Sequence, residues 1–223
     1  VSPSRGLIFI SFVAIGFVIG LAILVLKYLM FNEVNLLEDL KKLLPEKATP
    51  LGTVPLVKND MQYSQLLAYD YPKSQLAESF RNIRTNLNYI NTSYQTIAIT
   101  SSISGEGKTF VALNLAGIIA MSGKKTILID LDLRKPKIHL GFNVSNDKGM
   151  SGLIINQYSI EECVQKSAIE TLDFITAGPI PPNPSELIIS NSFKEVLKKL
   201  KETYDIIIID NPPVGLVSDG IKN

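Results

Sequence analysis

The first long apolar block in the chain covers residues 7–26 and contains 20 consecutive residues without a charge. As a helix that rises about 1.5 Å per residue, this block would span about 30 Å, the thickness of the hydrocarbon core of a bilayer. The sequence KYLMFNE follows it, whereas a signal peptide has a shorter apolar core and a small-residue cleavage site. The pattern therefore predicts a transmembrane helix.

The basic residues that flank this helix are distributed unequally. Only Arg5 precedes it, and the lysines that follow it are Lys27, Lys41, Lys42 and Lys47. Because the cytoplasmic flanks of membrane helices carry an excess of Lys and Arg, we predict that the C-terminal part of the chain is cytoplasmic.

The pattern changes twice after the predicted membrane helix. Residues 32–73 contain a short amphipathic piece, NLLEDLKKLL, and then PEKATPLGTVPLVKND, whose three prolines prevent a continuous helix. In QLAESFRNIRTNLNYI, apolar residues then recur every three or four positions, the period of an amphipathic helix. We therefore predict a membrane segment (1–31), a cytoplasmic linker (32–73) and a folded domain (74–223).

Within the predicted domain, short apolar segments alternate with longer helical ones. The predicted strands are 96–100, 125–130, 172–177 and 204–210, and the predicted helices are 108–123 and one around 185–203. Apolar strands separated by helices are typical of a parallel sheet that is covered on both faces. The predicted fold is α/β, with a doubly wound, mostly parallel sheet.

Composition and charge exclude several functional classes. The 22 basic and 21 acidic residues give a formal charge of +1 without a basic block, so we expect no nucleic-acid partner. With one cysteine and one histidine, Cys163 and His139, the chain has neither an internal disulfide framework nor a Cys/His metal cluster. Because the chain starts at Val1 and ends soon after an apolar strand, we interpret it as a fragment.

A phosphate-binding loop is predicted in SSISGEGKTF (101–110), between a strand and a helix. Such loops read G-x-x-x-x-G-K-[ST]; here Ser102 replaces the first glycine, and Gly107, Lys108 and Thr109 are retained. Loop N–H groups would bind phosphates, the lysine would add positive charge, and the threonine hydroxyl would coordinate Mg²⁺. The predicted nucleotide contacts are Ser104, Gly105, Glu106, Gly107, Lys108, Thr109 and Phe110.

Acidic residues end two further predicted strands. The second strand runs into DLDLR (130–134), and the last ends at Asp210, the place of a Walker B aspartate. Ligands bind beyond the carboxyl ends of such strands, and carboxylates are suitable ligands for Mg²⁺. Asp132 would either accept a proton from an incoming hydroxyl group or organise an attacking water, and the residues leave both roles open.

These motifs resemble those of the bacterial tyrosine kinases (BY-kinases) that are fused to the polysaccharide co-polymerase, or chain-length determinant, membrane module. IAITSSISGEGKT is similar to their Walker A motif, which lacks the first glycine, and ILIDLDLRKP is similar to their Walker A′ motif. YDIIIIDNPPV resembles their Walker B strand, and AGPIPPNPSEL resembles a segment that precedes it. Ile103 stands where MinD/ParA-type partitioning ATPases of the same deviant-Walker superfamily carry an additional lysine.

The resemblance implies a protein-tyrosine kinase of the bacterial inner membrane that uses ATP and Mg²⁺, autophosphorylates in trans, and regulates the polymerisation and export of a capsular polysaccharide or exopolysaccharide. It implies that Lys108, Asp130 and Asp132 are catalytic and that Thr109, Asp132 and Asp210 bind the metal. Arg134 is expected to contact phosphate or to have a structural role. Asp219 matches a recurrent acid of the family without an assigned role.

Glu78, Arg81 and Arg84 match the family's E-x-x-R-x-x-R motif, which implies a homo-oligomeric ring that works with the polysaccharide export machinery at the membrane. Their spacing places them along one side of a predicted helix. The spacing alone favours a solvated face that carries an internal ion pair worth about 0.2–0.5 kcal/mol, and the other motifs shift the expectation to a subunit interface.

Two alternative functions stay open at this point. One is a non-kinase ATPase that switches the assembly of a membrane polysaccharide-export complex, and the other is a structural co-polymerase subunit with a degenerate nucleotide domain. The family's tyrosine-rich C-terminal tail and periplasmic module are absent from these 223 residues. Tyr69 and Tyr71 are the nearest approach to a paired acceptor site, although their position favours a packing or linker role.

Overall fold

The computed structural model describes residues 4–30, 48–57 and 65–214. The chain forms two compact units, Val1–Pro50 and Leu51–Asn223. The predicted amphipathic piece, the flanking lysines Lys41, Lys42 and Lys47, and Asp219 lie outside the described residues.

The first unit contains helix α1 (Arg5–Met30). Its central stretch, Ile8–Lys27, has 20 residues and a mean hydropathy of 3.0. Helix α1 is thus long and apolar enough to cross a bilayer by length and composition. A helix that is apolar all round suits a lipid environment.

The second unit contains five strands and eight described helices. In chain order they are α2 (Leu67–Asp70), α3 (Gln75–Ile90), β1 (Thr96–Ile99), α4 (Lys108–Ala120), β2 (Thr126–Asp130), α5 (Ile138–Phe142), α6 (Met150–Ile154), α7 (Ile160–Cys163), β3 (Gln165–Lys166), β4 (Leu172–Ile175), α8 (Pro184–Ile189), α9 (Asn191–Thr203) and β5 (Ile206–Asp210). The strand order is β1-β5-β2-β4-β3. All neighbouring pairs are parallel except β3 with β4, so the predicted mostly parallel sheet is confirmed.

Helices cover both faces of this sheet. Alternate residues of β5 separate the two faces: Ile208 packs in a core with α3 and α4, whereas Ile207 and Ile209 pack in a core with α6 and α9. Because every strand position next to these cores is buried, the inner strands are apolar almost without interruption. The predicted doubly wound arrangement is therefore confirmed.

The prediction of a single helix around 185–203 is wrong, because this stretch contains two helices, α8 and α9, which meet at Ser190. Ser190 has an extended backbone (φ −67°, ψ 157°), and its hydroxyl oxygen accepts a hydrogen bond from the Phe193 N–H at 3.2 Å. A serine in this N-cap position starts a new helix because its side chain satisfies an otherwise unpaired N–H group.

The folded unit starts at Leu51, earlier than the predicted boundary at residue 74. Leu51, Val54 and Val57 pack against the core between the sheet, α3 and α4, and Ala68 is fully buried. These three residues recur at every third position, but Pro50 and Pro55 prevent a continuous helix there, so the sequence predicts no element in this stretch. Hydrophobic contact therefore draws part of the predicted linker into the domain.

A buried asparagine on α4 fixes the segment that contains α2. The Asn114 side-chain oxygen accepts a hydrogen bond from the Ala68 N–H at 2.8 Å. Its amide nitrogen donates to the carbonyl oxygens of Gln65 at 3.0 Å and Phe110 at 2.9 Å. Asn114 has no exposed surface, so these bonds satisfy polar groups that water does not reach.

We expect the Asn114→Ala substitution to lower the free energy of unfolding by about 1–3 kcal/mol, because it leaves buried backbone groups of the α2 segment unpaired. The measurement is urea unfolding of the full chain in a mild detergent, followed by far-ultraviolet circular dichroism. Lys198→Ala, at an exposed position of α9, is the control and should change the value by less than about 0.5 kcal/mol. Equal effects of the two substitutions would contradict the anchoring role.

Candidate active site

Two glycines give the predicted phosphate loop its shape. Gly105 (φ 97°) and Gly107 (φ 92°) both have left-handed backbone conformations, which residues with a Cβ disfavour. Gly107 is the N-cap of α4, and Lys108 is the first residue of that helix. The loop therefore delivers the free N–H groups at the start of α4 to the carboxyl edge of the sheet, where an anion can bind them.

The first half of the loop is held by a carboxylate of the loop itself. Glu106 Oε2 accepts hydrogen bonds from the N–H groups of Ser102 at 2.8 Å and Ile103 at 3.3 Å. The Ser101 hydroxyl donates to the Ile103 carbonyl oxygen at 2.8 Å. Ser102 does not have a positive φ, so the serine in place of the consensus glycine causes no backbone strain.

Four predicted site residues converge beyond the ends of β2 and β5. Lys108 Nζ lies 2.9 Å from Asp132 Oδ2 and 3.1 Å from Asp210 Oδ1. The Thr109 hydroxyl donates to Asp210 Oδ2 at 2.7 Å. The exposed fractions of the Lys108, Asp132 and Asp210 side chains are 10%, 6% and 0%, so this cluster is screened from water.

The charges of this cluster do not balance. Burial lowers the pKa of Lys108, but the Asp210 and Asp132 carboxylates outweigh it and raise the pKa overall. Burial raises the pKa of Asp210, although Lys108 and the Thr109 hydroxyl oppose the increase. Two carboxylates face one ammonium group, so an additional positive charge would stabilise the site.

Asp130 lies next to this cluster but is bonded to the backbone. Its Oδ1 accepts the Asp132 N–H at 3.0 Å, and its Oδ2 accepts the N–H groups of Lys137 at 3.2 Å and Ile138 at 3.1 Å. Burial raises the pKa of Asp130 to about 7, the Asp210 charge adds to the increase, and the backbone bonds oppose it. These contacts are those of a positioning residue that shapes the turn carrying Asp132, and the catalytic role of Asp130 stays a prediction.

The remaining predicted nucleotide and phosphate contacts have varied surroundings. Ser104 and Gly105 are exposed in the loop. The Phe110 ring packs against the Phe80 ring of α3, with centroids 6.2 Å apart. Arg134 Nη2 donates to the Ser185 hydroxyl at 3.1 Å and so links the turn after β2 to the start of α8.

The donor set fits a magnesium ion that arrives with a nucleotide. Among the described residues, no group of three or more His, Cys, Asp or Glu is placed to hold a metal. Mg²⁺ is commonly held by one or two carboxylates together with phosphate oxygens and water. The Asp132 and Asp210 carboxylates and the Thr109 hydroxyl match that requirement, and the Lys108 ammonium now lies between the two acids as a stand-in cation.

The three residues predicted to mediate assembly all lie on α3, but they have different partners. Arg81 pairs with Glu78 and also donates to the Pro72 carbonyl oxygen at 2.8 Å. Arg84 instead donates to the carbonyl oxygen of Ile118, on α4, at 3.0 Å. The side chains of Glu78 and Arg81 are 61% and 30% exposed. Arg84 thus fastens α3 to α4, and the other two residues form an accessible ion pair.

One structural contribution to the site was not predicted. The segment after β5 lies beside the segment after β1: the Thr100 hydroxyl donates to the Pro212 carbonyl oxygen, and the Val214 N–H donates to the Ser101 carbonyl oxygen, both at 2.9 Å. The sequence offers no local signal for these bonds, because the paired residues are more than 100 positions apart.

The chain is similar to known proteins in sequence and in fold. The AAA domain family matches residues 94–219. The protein CapB of Staphylococcus aureus is 40% identical over 166 residues, which cover 74% of this chain and 73% of CapB. The tyrosine-protein kinase YwqD of Bacillus subtilis is 42% identical over 156 residues, which cover 69% of this chain and 66% of YwqD. The solved kinase domain of the Escherichia coli tyrosine kinase ETK has a TM-score of 0.70 and 32% identity, over 77% of this chain and 72% of that domain.

We expect the Lys108→Met substitution to increase the affinity for Mn²⁺ without nucleotide by about tenfold or more, because it removes the cation between two buried carboxylates. Free Mn²⁺ can be measured by electron paramagnetic resonance on the full chain in detergent. Lys135→Met, an exposed change in the neighbouring turn, controls for net charge and should have little effect. Unchanged Mn²⁺ affinity in Lys108→Met would show that the ammonium does not occupy the cation position.

Proposed function

Because the chain belongs to the family of bacterial tyrosine-protein kinases, we propose that it transfers the γ-phosphoryl group of ATP to tyrosine side chains. The observation that carries this proposal is the buried convergence of Lys108, Asp132 and Asp210 beside a phosphate-binding loop. The rate of such a transfer depends on positioning and on charge stabilisation, and these are what the cluster supplies.

The loop and the start of α4 would bind the nucleotide. The N–H groups around Gly105 and Gly107 face an accessible edge, and Lys108 can leave the two carboxylates for the β- and γ-phosphates. Thr109, Asp132 and Asp210 would hold Mg²⁺, which neutralises phosphate charge when it is bound. Movement of the Lys108 ammonium would thus vacate the position that the metal requires.

Asp132 is the proposed base for the acceptor hydroxyl group. Its Oδ1 accepts the Lys135 N–H at 3.1 Å, and its Oδ2 pairs with Lys108. Once Lys108 contacts phosphate, Oδ2 loses its ammonium partner, and its lone pairs would serve both the metal and the phenolic proton of a tyrosine. Asp130 fixes the position of Asp132 through the bond to its N–H group, so we assign it a positioning role.

We also propose that the kinase unit works on the cytoplasmic side of the inner membrane and regulates capsular or exopolysaccharide polymerisation and export. Helix α1 supports a membrane anchor by its length and composition. ATP is available in the cytoplasm, and the motifs resemble those of kinases that are fused to polysaccharide co-polymerase modules. Assembly into a ring would use the accessible Glu78–Arg81 pair, because these charges can pair again across two copies.

We expect the Asp132→Asn substitution to lower tyrosine phosphorylation by about 100-fold or more, because an amide cannot accept the phenolic proton. The assay measures phosphate incorporation from Mg·ATP into a glutamate–tyrosine copolymer, with nucleotide binding followed separately by calorimetry. Asp147→Asn, at an exposed acid, is the control and should retain full activity. Phosphate release without any phosphotyrosine in the unaltered protein would instead support a non-kinase ATPase.

We expect Arg81→Ala to reduce the assembled mass of the protein and to change the free energy of unfolding by less than about 1 kcal/mol, because its ion pair is accessible. Arg84→Ala should lower the free energy of unfolding by about 1–2 kcal/mol, because it removes a bond between α3 and α4. Light scattering after size exclusion gives the mass, and circular dichroism gives the stability. An unchanged mass in Arg81→Ala would argue against an interfacial role.

A further inference from the structure

We propose that Tyr71 is a phosphorylation site of this chain, modified by the active site of a second copy, and that Arg81 binds the phosphate once it is attached. This inference rests on the proposed kinase function and adds an acceptor to it. The proposal depends on the accessibility of the Tyr71 side chain, on its place in the chain and on the cationic groups beside it.

Three of the six tyrosines that the structure describes in the second unit are occupied by contacts. Tyr204 is 6% exposed, and its hydroxyl donates to a buried carboxylate at 2.7 Å. The hydroxyls of Tyr94 and Tyr158 are hydrogen-bonded to neighbouring side chains at 2.9 and 3.3 Å. A kinase requires an acceptor oxygen that can leave its own surface, so these three residues are poor acceptors.

Tyr71 and Tyr89 have more accessible side chains, with exposed fractions of 64% and 84%, whereas Tyr69 is 38% exposed. Within residues 4–30, 48–57 and 65–214, neither Tyr71 nor Tyr89 makes a hydroxyl hydrogen bond. Exposure alone thus leaves two candidates.

The backbone distinguishes the two candidates. Tyr71 ends α2 with non-helical angles (φ −124°, ψ 68°), in a short turn closed by the bond from the Ser74 N–H to the Tyr71 carbonyl oxygen at 3.0 Å. A turn outside a helix can enter a second active site without unwinding. Tyr89 lies in the last turn of α3, where a phosphate would meet the negative end of the helix dipole.

Cationic groups belong to the same turn as Tyr71 or contact its backbone. The Arg81 guanidinium donates to the carbonyl oxygen of Pro72, the next residue, at 2.8 Å. The same turn contains Lys73 and leads into the N-terminus of α3, which favours negative charge. Phosphotyrosine carries a charge of about −1.5 to −2 and three acceptor oxygens, which an arginine binds in a bidentate manner. The phosphate would therefore compete with Glu78 for Arg81.

The turn also lies at the end of the unit that carries the phosphate loop. Phe80 of α3 contacts Phe110 near the start of α4, whereas Arg84 reaches Ile118 near its end. The two helices therefore run alongside each other in the same direction, and the turn before α3 is near the end of the unit where α4 begins. A second copy that approaches this end can present its Tyr71 to the active site of the first copy, and its own active site to the Tyr71 of the first.

The proposed transfer breaks one phosphorus–oxygen bond and forms another. The bond between the γ-phosphorus and the oxygen that bridges to the β-phosphate breaks, and a bond from the γ-phosphorus to the Tyr71 hydroxyl oxygen forms. The phenolic proton passes to Asp132 of the second copy, and ADP leaves with the bridging oxygen.

The test uses the full chain in detergent micelles with Mg·ATP, followed by mass-spectrometric mapping of phosphotyrosine. We expect phosphate on Tyr71 in the unaltered chain and none in Lys108→Met alone. When Lys108→Met is mixed with Tyr71→Phe, phosphate should return to Tyr71 of the Lys108→Met chain, because the active site of the other copy supplies it. Tyr158→Phe is the matched control and should keep the phosphate on Tyr71.

A glutamate–tyrosine copolymer in the same reaction separates this inference from the proposed function. Tyr71→Phe should phosphorylate the copolymer as fast as the unaltered chain does. Copolymer phosphorylation without phosphate on Tyr71 would overturn the inference and leave the kinase function intact. No phosphorylation of either substrate would overturn both.

The role of Arg81 has its own readout. We expect a tyrosine phosphatase to remove the Tyr71 phosphate about threefold faster, or more, from phosphorylated Arg81→Gln than from the unaltered phosphorylated chain, with both diluted until light scattering shows single copies, because the guanidinium no longer holds the phosphate. Thr85→Ala, one turn further along α3, is the control and should leave this rate unchanged. Equal rates in Arg81→Gln and the unaltered chain would overturn phosphate binding by Arg81.

Discussion

The ammonium group of Lys108 between two buried carboxylates is the contact on which the arrangement of the site depends. Asp210 ends β5, and the parallel register pairs it directly with Asp130, at the end of the neighbouring strand β2. Three carboxylates are thereby brought to one dry edge, where a nearby cation reduces the cost of holding them close together. The lysine supplies that cation because the loop places the first residue of α4 between the ends of the strands.

The scaffold resists the repulsion among these acids through burial on both faces of the sheet. Each inner strand is enclosed by helices, and the segments from Leu51 to Val57 and around α2 extend the core on one face. Asn114 joins the segment that contains α2 to α4 through two hydrogen bonds, and Arg84 joins α3 to the same helix. Helix α4 is therefore held along its length, which fixes the starting position of Lys108.

The sequence was sufficient to predict the loop, the two strand-end motifs and their meeting at one edge, because parallel strands share a carboxyl edge. Side-chain partners were harder to predict. Asp130 and Asp132 have the same predicted catalytic role, yet Asp130 is bonded to three backbone N–H groups. The break at Ser190 depends on one hydroxyl group within an otherwise continuous helical pattern, and the contact of Arg84 depends on how two helices pack. These features depend on three-dimensional contacts, which the spacing of apolar residues along the chain does not reveal.

The amide groups of the loop are available to two different anions, the Glu106 carboxylate in the first half and a nucleotide phosphate in the second half. The N–H groups of Ser102 and Ile103 already serve a carboxylate that belongs to the chain, so an incoming nucleotide meets only the later part of the loop. These two bonds also hold the first half of the loop in one shape without any contribution from a phosphate. The serine that replaces the consensus glycine thus lies in a loop that carries its own permanent anion.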